Sequence, residues 1–223
     1  MKKITVKSEI VKWFALLTMT MDHIDKVFAG TTWISDTFGR TAFPIFSYLI
    51  ISNFCTYHNA KKYILRLGIF GLLAQVIAYH YDEYNVLFSF LYAIVFLSAT
   101  ERLCRATKLF FVQAYFCILL FTALFPFIYM ADYGMAGFCY LLALYAYIKD
   151  KTKFNCFAVI LASIVLNRAS LVAAASTVIT TLLLLFVIEI KNSKRLVKWW
   201  FFYVYYPLHR LLLHLLKLFL IGI

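Results

Sequence analysis

Proline is nearly absent, with three residues in 223, and glycine is scarce at seven. So little turn chemistry leaves no room for a flexible linker or a loop-rich second domain, and the chain reads as one domain, residues 1–223. Charge is sparse as well: 14% of the residues are charged and only ten are acidic. The five cysteines (Cys55, Cys104, Cys117, Cys139 and Cys156) form no Cys-x-x-Cys pair and lie in or beside apolar runs. They read as small core residues, with neither a disulfide framework nor a metal site indicated. The first apolar segment lacks a small-residue cleavage site, so no cleavable signal peptide is expected.

What is present is apolar. Hydrophobic residues make up 64% of the chain and the mean hydropathy is +0.84, more apolar surface than a soluble globular domain needs. The expected fold class is therefore all-α, a polytopic membrane helix bundle in a lipid bilayer. Sixteen Tyr, 23 Phe and four Trp supply material for aromatic belts at its interfaces. The net charge of +12 raises nucleic-acid binding, but the basic residues fall in short clusters between apolar runs instead of on one soluble face. No nucleic-acid partner is expected.

A span takes roughly 20 apolar residues. On that basis helices are expected at about 10–30, 39–58, 63–80, 86–100, 109–130, 134–148, 154–167, 171–190 and 199–221, about nine in all. The basic clusters test this order. Lys2, Lys3, Lys7 and Lys12 precede the first segment, and Lys61, Lys62 and Arg66 follow the second. Arg102, Arg105 and Lys108 follow the fourth, and Lys149, Lys151 and Lys153 follow the sixth. Lys191, Lys194, Arg195 and Lys198 follow the eighth. If every segment spans, all of these fall on one side, which the positive-inside rule makes cytoplasmic, with the N-terminus inside. The opposite turns carry Asp36, Asp82, Glu83 and Asp132. In the last segment Arg210, His214 and Lys217 recur at helical spacing, as an interior stripe or as the polar face of an interfacial helix.

The stretch from Lys12 to Phe46 carries a polar seam inside apolar sequence: Asp22, His23, Asp25, Lys26 and Arg40. Ionisable groups at membrane depth cost several kcal/mol each and persist where they face a cavity or a partner. Asp22 and Lys26 are four apart and can pair. His23 points about 100° away, so Asp22 is not automatically its orienting partner, and a carboxylate from another helix is the alternative. Lys12 and His23 are eleven apart, about 16 Å of helix. A neutral imidazole at that depth suits a general base; the plainer alternative is a structural hydrogen bond.

In the second helix Pro44 cannot bond the carbonyl of Arg40, so a bend is expected there, with Gly39 allowing close approach. Arg40 would then hold an anionic or carbonyl group, or simply snorkel. Arg66 either sets topology or faces a phosphate-bearing ligand. Asp132 either caps the next helix or points inward to His23. In Tyr-Tyr-Pro-Leu-His-Arg (205–210) a proline again adjoins a histidine, which makes His209 the second candidate for site chemistry.

Six blocks in order resemble the TraX family, whose best-known member acetylates the N-terminus of conjugative F-type pilin. They are Leu-Thr-Met-Thr-Met-Asp-His-Ile (17–24), Gly-Arg-Thr-Ala-Phe-Pro-Ile-Phe (39–46), Lys-Tyr-Ile-Leu-Arg-Leu (62–67), Tyr-Asn-Val-Leu-Phe (84–88), Asp-Tyr-Gly-Met-Ala-Gly (132–137) and Phe-Tyr-Val-Tyr-Tyr-Pro-Leu-His (202–209). The family is distantly similar to membrane acyltransferases that draw on acyl-CoA. In those a basic residue, usually Arg, lies eleven before a His on the first helix, as Lys12 does before His23.

The resemblance implies an acetyltransferase in the bacterial inner membrane, multi-pass, with acetyl-CoA as donor and no metal. It implies His23, Asp22 and Asp132 as catalytic residues. It also implies Lys12, Arg40, Lys62, Arg66, Tyr133 and His209 as residues that bind CoA or acceptor. The implied partner is a pilin-like protein, with other peptides, glycans or lipids as alternative acceptors. The competing functions are a transporter or channel lined by the same polar residues, and a non-catalytic scaffold of a pilus or secretion machine.

Overall fold

The computed structural model describes residues 3–28, 32–57, 59–77, 84–194, 196–198 and 200–221. Lys2, Asp82, Glu83 and Arg195, all among the topology-setting charges, lie outside the described residues. The apolar runs all become helices: α1 (Ser8–Phe28), α3 (Ala42–Tyr57), α4 (Ala60–Ile77), α5 (Val86–Ala106), α6 (Phe110–Tyr129), α7 (Gly134–Lys149), α8 (Lys153–Leu166), α9 (Leu171–Leu182) and α10 (Phe201–Ile221). A short helix α2 (Thr32–Thr37) fills the connection between α1 and α3. Side chains cap several starts: Asn85 accepts from the Leu87 amide, Thr152 from Asn155 and Ser170 from Ala173.

Three local differences from the sequence reading have clear causes. Gly39–Thr41 forms a 3₁₀ turn and α3 begins only at Ala42. Pro44 therefore sits in the first turn of α3, where a missing N–H costs nothing, and the helix starts there instead of bending. The eighth helix stops at Leu182, passes through a π-helical turn (Leu183–Val187) and becomes a strand. The β-branched run around Val187, Ile188 and Ile190 favours that ending. The strand (β2, Ile188–Lys191) pairs in parallel with β1 (Ile4–Lys7), matching Ile4 with Ile188 and Val6 with Ile190. The otherwise all-α fold thus ties its N-terminus to the segment before α10.

Five helices (α1, α3, α4, α5 and α10) surround a central space, with α10 packing on both α1 and α4. Behind α3 stand α7, α8 and α9 in a row, and α6 lies against α5 and α7. The main core joins Phe43, Phe54, Leu67, Phe90, Tyr140 and Leu144, all 8% exposed or less. On the charged stripe of α10, Arg210 and Lys217 are half-buried and His214 is exposed, whereas Tyr206 and His209, beside it, are buried.

Two described helices, α5 and α6, are long and apolar enough to cross a bilayer, while α7, α8 and α9 are apolar but shorter. Only 6% of the most apolar window of α6 is buried in the protein, against 39% for α5. So α6 is no soluble-core helix. Phe110, Phe111, Tyr115, Ile118, Leu119 and Phe125 form an exposed apolar surface that hydrocarbon, not water, would accommodate. Ile118→Lys is expected to cost about 2.5–3.5 kcal/mol for a charge at hydrocarbon depth. The readout is the yield of monodisperse protein extracted from membranes, which should fall sharply against Ile118→Leu. An unchanged yield would mean that this face meets water.

Candidate active site

The site begins with a backbone carbonyl on α10. His209 Nδ1 lies 2.8 Å from the carbonyl oxygen of Tyr205. A carbonyl only accepts, so Nδ1 carries the proton and the neutral ring presents a lone pair at Nε2. His23 Nδ1 is 2.6 Å from that Nε2. His23 must therefore donate through Nδ1–H, which leaves His23 Nε2 as the free proton acceptor. The partner that orients His23 is an imidazole from α10, not a carboxylate. The two rings meet edge to edge through this bond, with centroids 4.9 Å apart, and His209 is 5% exposed.

Tyr205 also holds the two helices in register. Thr20 Oγ1 donates to the Leu16 carbonyl at 2.8 Å, so the Tyr205 hydroxyl, 2.9 Å away, donates to Thr20. The Tyr205 ring stacks on His209 with centroids 5.0 Å apart. Thus α1 and α10 meet through Thr20–Tyr205 and His23–His209, one helical turn apart.

Asp22 turns away from His23. Its Oδ2 pairs with Lys26 Nζ at 2.7 Å, and its Oδ1 accepts from the Ser35 hydroxyl. The carboxylate packs on Gly39, where a Cβ would lie 2.6 Å from Asp22 Cβ and 2.7 Å from Asp22 Oδ1. Asp22 therefore binds the α2 and 3₁₀ connection to α1. Arg40 lies in that connection, its Nε 4.0 Å from Asp36 Oδ1 and without a hydrogen-bond partner among the described residues.

Asp132 reaches the site from the turn between α6 and α7. An isolated bridge pins that turn: the Tyr84 amide bonds the Met130 carbonyl at 2.8 Å and the Asp132 amide bonds the Tyr84 carbonyl at 2.7 Å. The cap position of α7 is Tyr133, which makes no side-chain cap bond. Asp132 is thus not the cap and is free to line the cavity beside His23. Although its side chain borders open space, the surrounding protein withholds bulk water and pushes its carboxyl up from the ordinary value. Lys26, Arg210 and Arg40 pull the other way. Tyr133 stacks on Phe43 at 3.9 Å and lines the same cavity.

Two cavities meet at this point. The inner one, about 40 Å³, is lined by Asp22, His23, Gly39, Asp132 and Tyr133 among others. The outer one, about 190 Å³, reaches Glu9, Lys12, Arg66 and Lys198. Met19, Phe46, Val86, Phe90 and Tyr206 line both and form the neck between them. Lys12 is held at 2.7 Å by Glu9, which is 3% exposed and also accepts from the Leu196 amide.

The structure thus gathers His23, Asp132 and Tyr133 at the inner cavity, with His209 bonded to His23, and Lys12 with Arg66 at the outer one. Lys62 is exposed at the start of α4, apart from both linings. Sequence reasoning missed Tyr205, Tyr206, Glu9 and Ser35. The first two adjoin the Pro-Leu-His signal and could have been suspected. Glu9 and Ser35 are joined to the site only by folding.

Because Asp22 leaves no room at residue 39, Gly39→Ala is expected to destabilise the protein by about 1–3 kcal/mol, the usual cost of overpacking. Thermal unfolding of the detergent-solubilised variant should show the loss. An unchanged melting temperature would mean that the 3₁₀ turn moves freely away from α1.

Neither a curated protein nor a solved structure matches the chain. A family model described as TraX protein does match, over residues 7–217. That span runs from the end of β1 nearly to the end of α10 and takes in both histidines and both cavities. The chain belongs to the TraX family.

Proposed function

We propose that the protein is a membrane-embedded acetyltransferase that moves the acetyl group of acetyl-CoA to the N-terminal amine of a pilin-like acceptor. One observation carries the reading. His23 is fixed by His209 with Nε2 unprotonated, and it lines the inner cavity, whose neck opens to the outer one. Family membership is consistent with it, since the best-known TraX protein acetylates a pilin N-terminus.

The bundle would span the bacterial inner membrane with about nine helices and its N-terminus in the cytoplasm. The clustered basic residues and the exposed apolar face of α6 support that placement. The outer cavity then lies on the cytoplasmic side. At about 190 Å³ it is smaller than the roughly 300–1,000 Å³ of sites that enclose a whole drug-sized ligand. It fits an extended acyl-pantetheine arm, with Lys12 and Arg66 facing the donor's phosphates. The inner cavity, between His23 and Asp132, would receive the acceptor amine from the opposite end.

In this reading His23 Nε2 takes a proton from the acceptor amine as its nitrogen bonds to the acetyl carbonyl carbon. The thioester C–S bond breaks and CoA leaves as its thiol, protonated from His23. His209 holds the tautomer throughout. Asp132, the carboxylate open to the cavity, attracts the acceptor's ammonium form, which gives one proton to water to become the free amine that attacks.

Release of free CoA by purified protein in nanodiscs, with and without a pilin-like N-terminal peptide, tests the reading. Peptide-stimulated release is expected, and His23→Ala should lower it by about 10²–10⁴. His209→Ala should lower kcat by about 10–100-fold, the scale known for partners that orient a metal-bound imidazole. His209→Gln, with an amide oxygen to accept from His23, should recover part of that loss. No acetyl-CoA binding and no release from folded protein would overturn the reading.

A further inference from the structure

A further cavity lies apart from the histidines. It holds about 380 Å³ between the end of α3, the start of α4 and the end of α5. Its lining includes Tyr57, Lys61, Ser98, Glu101, Arg102 and Arg105. Three cations face one carboxylate, and that carboxylate is already engaged. Glu101 accepts from the Tyr145 hydroxyl, pairs with Lys149 Nζ at 3.1 Å and pairs with Arg105 Nη2 at 3.0 Å. Among the described residues no carboxylate pairs with Lys61 or Arg102. A polar cavity with two unneutralised cations and one half-neutralised arginine is a receptor for an anion.

Its position says which anion. One stripe of α3, at helical spacing, lines the successive cavities: Phe46 at the neck, Ile50 and Asn53 on the outer cavity, Tyr57 on the basic one. An intermediate cavity is lined by Lys12 and Asn53 of the outer cavity and by Tyr57 of the basic one, and so lies between them. The same order holds on α5, where Phe90 lies at the neck and Arg102 in the basic cavity. Phe46 to Tyr57 is eleven residues, about 16 Å of helix. A donor whose thioester stands at the neck and whose pantetheine arm lies along α3 would carry its nucleotide end to this point.

We propose that the cavity bounded by Lys61, Arg102 and Arg105 binds phosphate groups, and that its ligand is the phosphorylated adenosine end of the acyl-CoA donor. The proposal rests on the acetyl-CoA reading above and adds a second, distant subsite to it. Arg102 and Lys61 meet the phosphate oxygens directly, while Arg105 is held in place by Glu101. An anionic phospholipid headgroup shares the same chemistry, and the test separates the two sources.

The probe is adenosine 3′,5′-bisphosphate, bound at equilibrium to the full-length protein in phosphatidylcholine nanodiscs, with adenosine as the reference ligand. Wild type should bind the bisphosphate well above adenosine. Arg102→Ala and Lys61→Ala should each weaken it about tenfold, the scale of one lost charge-assisted hydrogen bond. Lys108→Ala, an exposed cation on the same side that does not line the cavity, should leave it unchanged. All these residues are exposed, so folding is checked simply by a monodisperse elution profile.

Unchanged affinity in Arg102→Ala, or equal losses in all three variants, would overturn the proposal in favour of diffuse surface charge. So would a bisphosphate affinity no better than adenosine's, with phosphatidylglycerol as the species retained in an Arg102-dependent way; the cavity would then be a lipid site. Binding is read without turnover, so a failure of acetyl transfer sinks the enzyme reading while this measurement still decides the subsite.

Discussion

A single backbone carbonyl sets the chemistry of the site. The oxygen of Tyr205 can only accept, so it decides which nitrogen of His209 is protonated. His209 in turn decides the tautomer of His23, leaving Nε2 with its lone pair. A carboxylate in the position of His209 would have fixed the same tautomer but brought a negative charge into an apolar bundle. An imidazole supplies the acceptor at no net charge, which spares the desolvation cost of a buried ion. The rest of the structure exists to keep α1 and α10 at the distance this bond requires. Tyr205 and Thr20 add a second bond between the two helices, and α4 supports the far side of α10.

The same economy governs the other ionisable groups. Asp22 has Lys26 and Ser35, Glu9 has Lys12 and the Leu196 amide, and Glu101 has Lys149, Arg105 and Tyr145. Each cluster also joins segments distant in sequence: Asp22 ties α1 to α2, Glu9 ties α1 to the segment before α10, and Glu101 ties α5 to α7. Together with the β1–β2 pair, the Glu9 contacts tie Ile188–Lys191 and Leu196 to the N-terminal segment, next to Val197 and Lys198 in the lining of the outer cavity. In a bilayer, polar pairs of this kind would do between helices what hydrophobic burial cannot.

The helices were legible because apolar runs of this length have few other outcomes, and their expected limits hold within a few residues at most ends. The eleven-residue spacing of Lys12 and His23 was legible for the same reason: one helix carries both, so distance follows from rise. His209 could be singled out as chemistry-bearing beside a proline, but not as the partner of His23, because 186 residues separate them. The helical face of His23 showed that Asp22 need not be its partner, yet nothing local pointed to α10. Pro44 misled because a proline marks a bend or a helix start equally well, and only the 3₁₀ turn at Gly39–Thr41 decides which. The β1–β2 pair was hidden because four-residue strands next to apolar helices leave no periodicity of their own.

The two carboxylates near His23 show how packing separates groups that sequence treats alike. Asp22 adjoins His23 in the chain, yet a cation, a hydroxyl and the Gly39 backbone occupy it, and a side chain at residue 39 would collide with it. It is fixed, neutralised and committed to holding the connection to α3. Asp132 is more than a hundred residues away, yet the Tyr84 bridge holds its turn at the cavity and no helix cap occupies its carboxylate. A group that must meet an incoming cation needs an accessible oxygen and a backbone that does not move when it binds. Asp132 has both, and Asp22 has only the second.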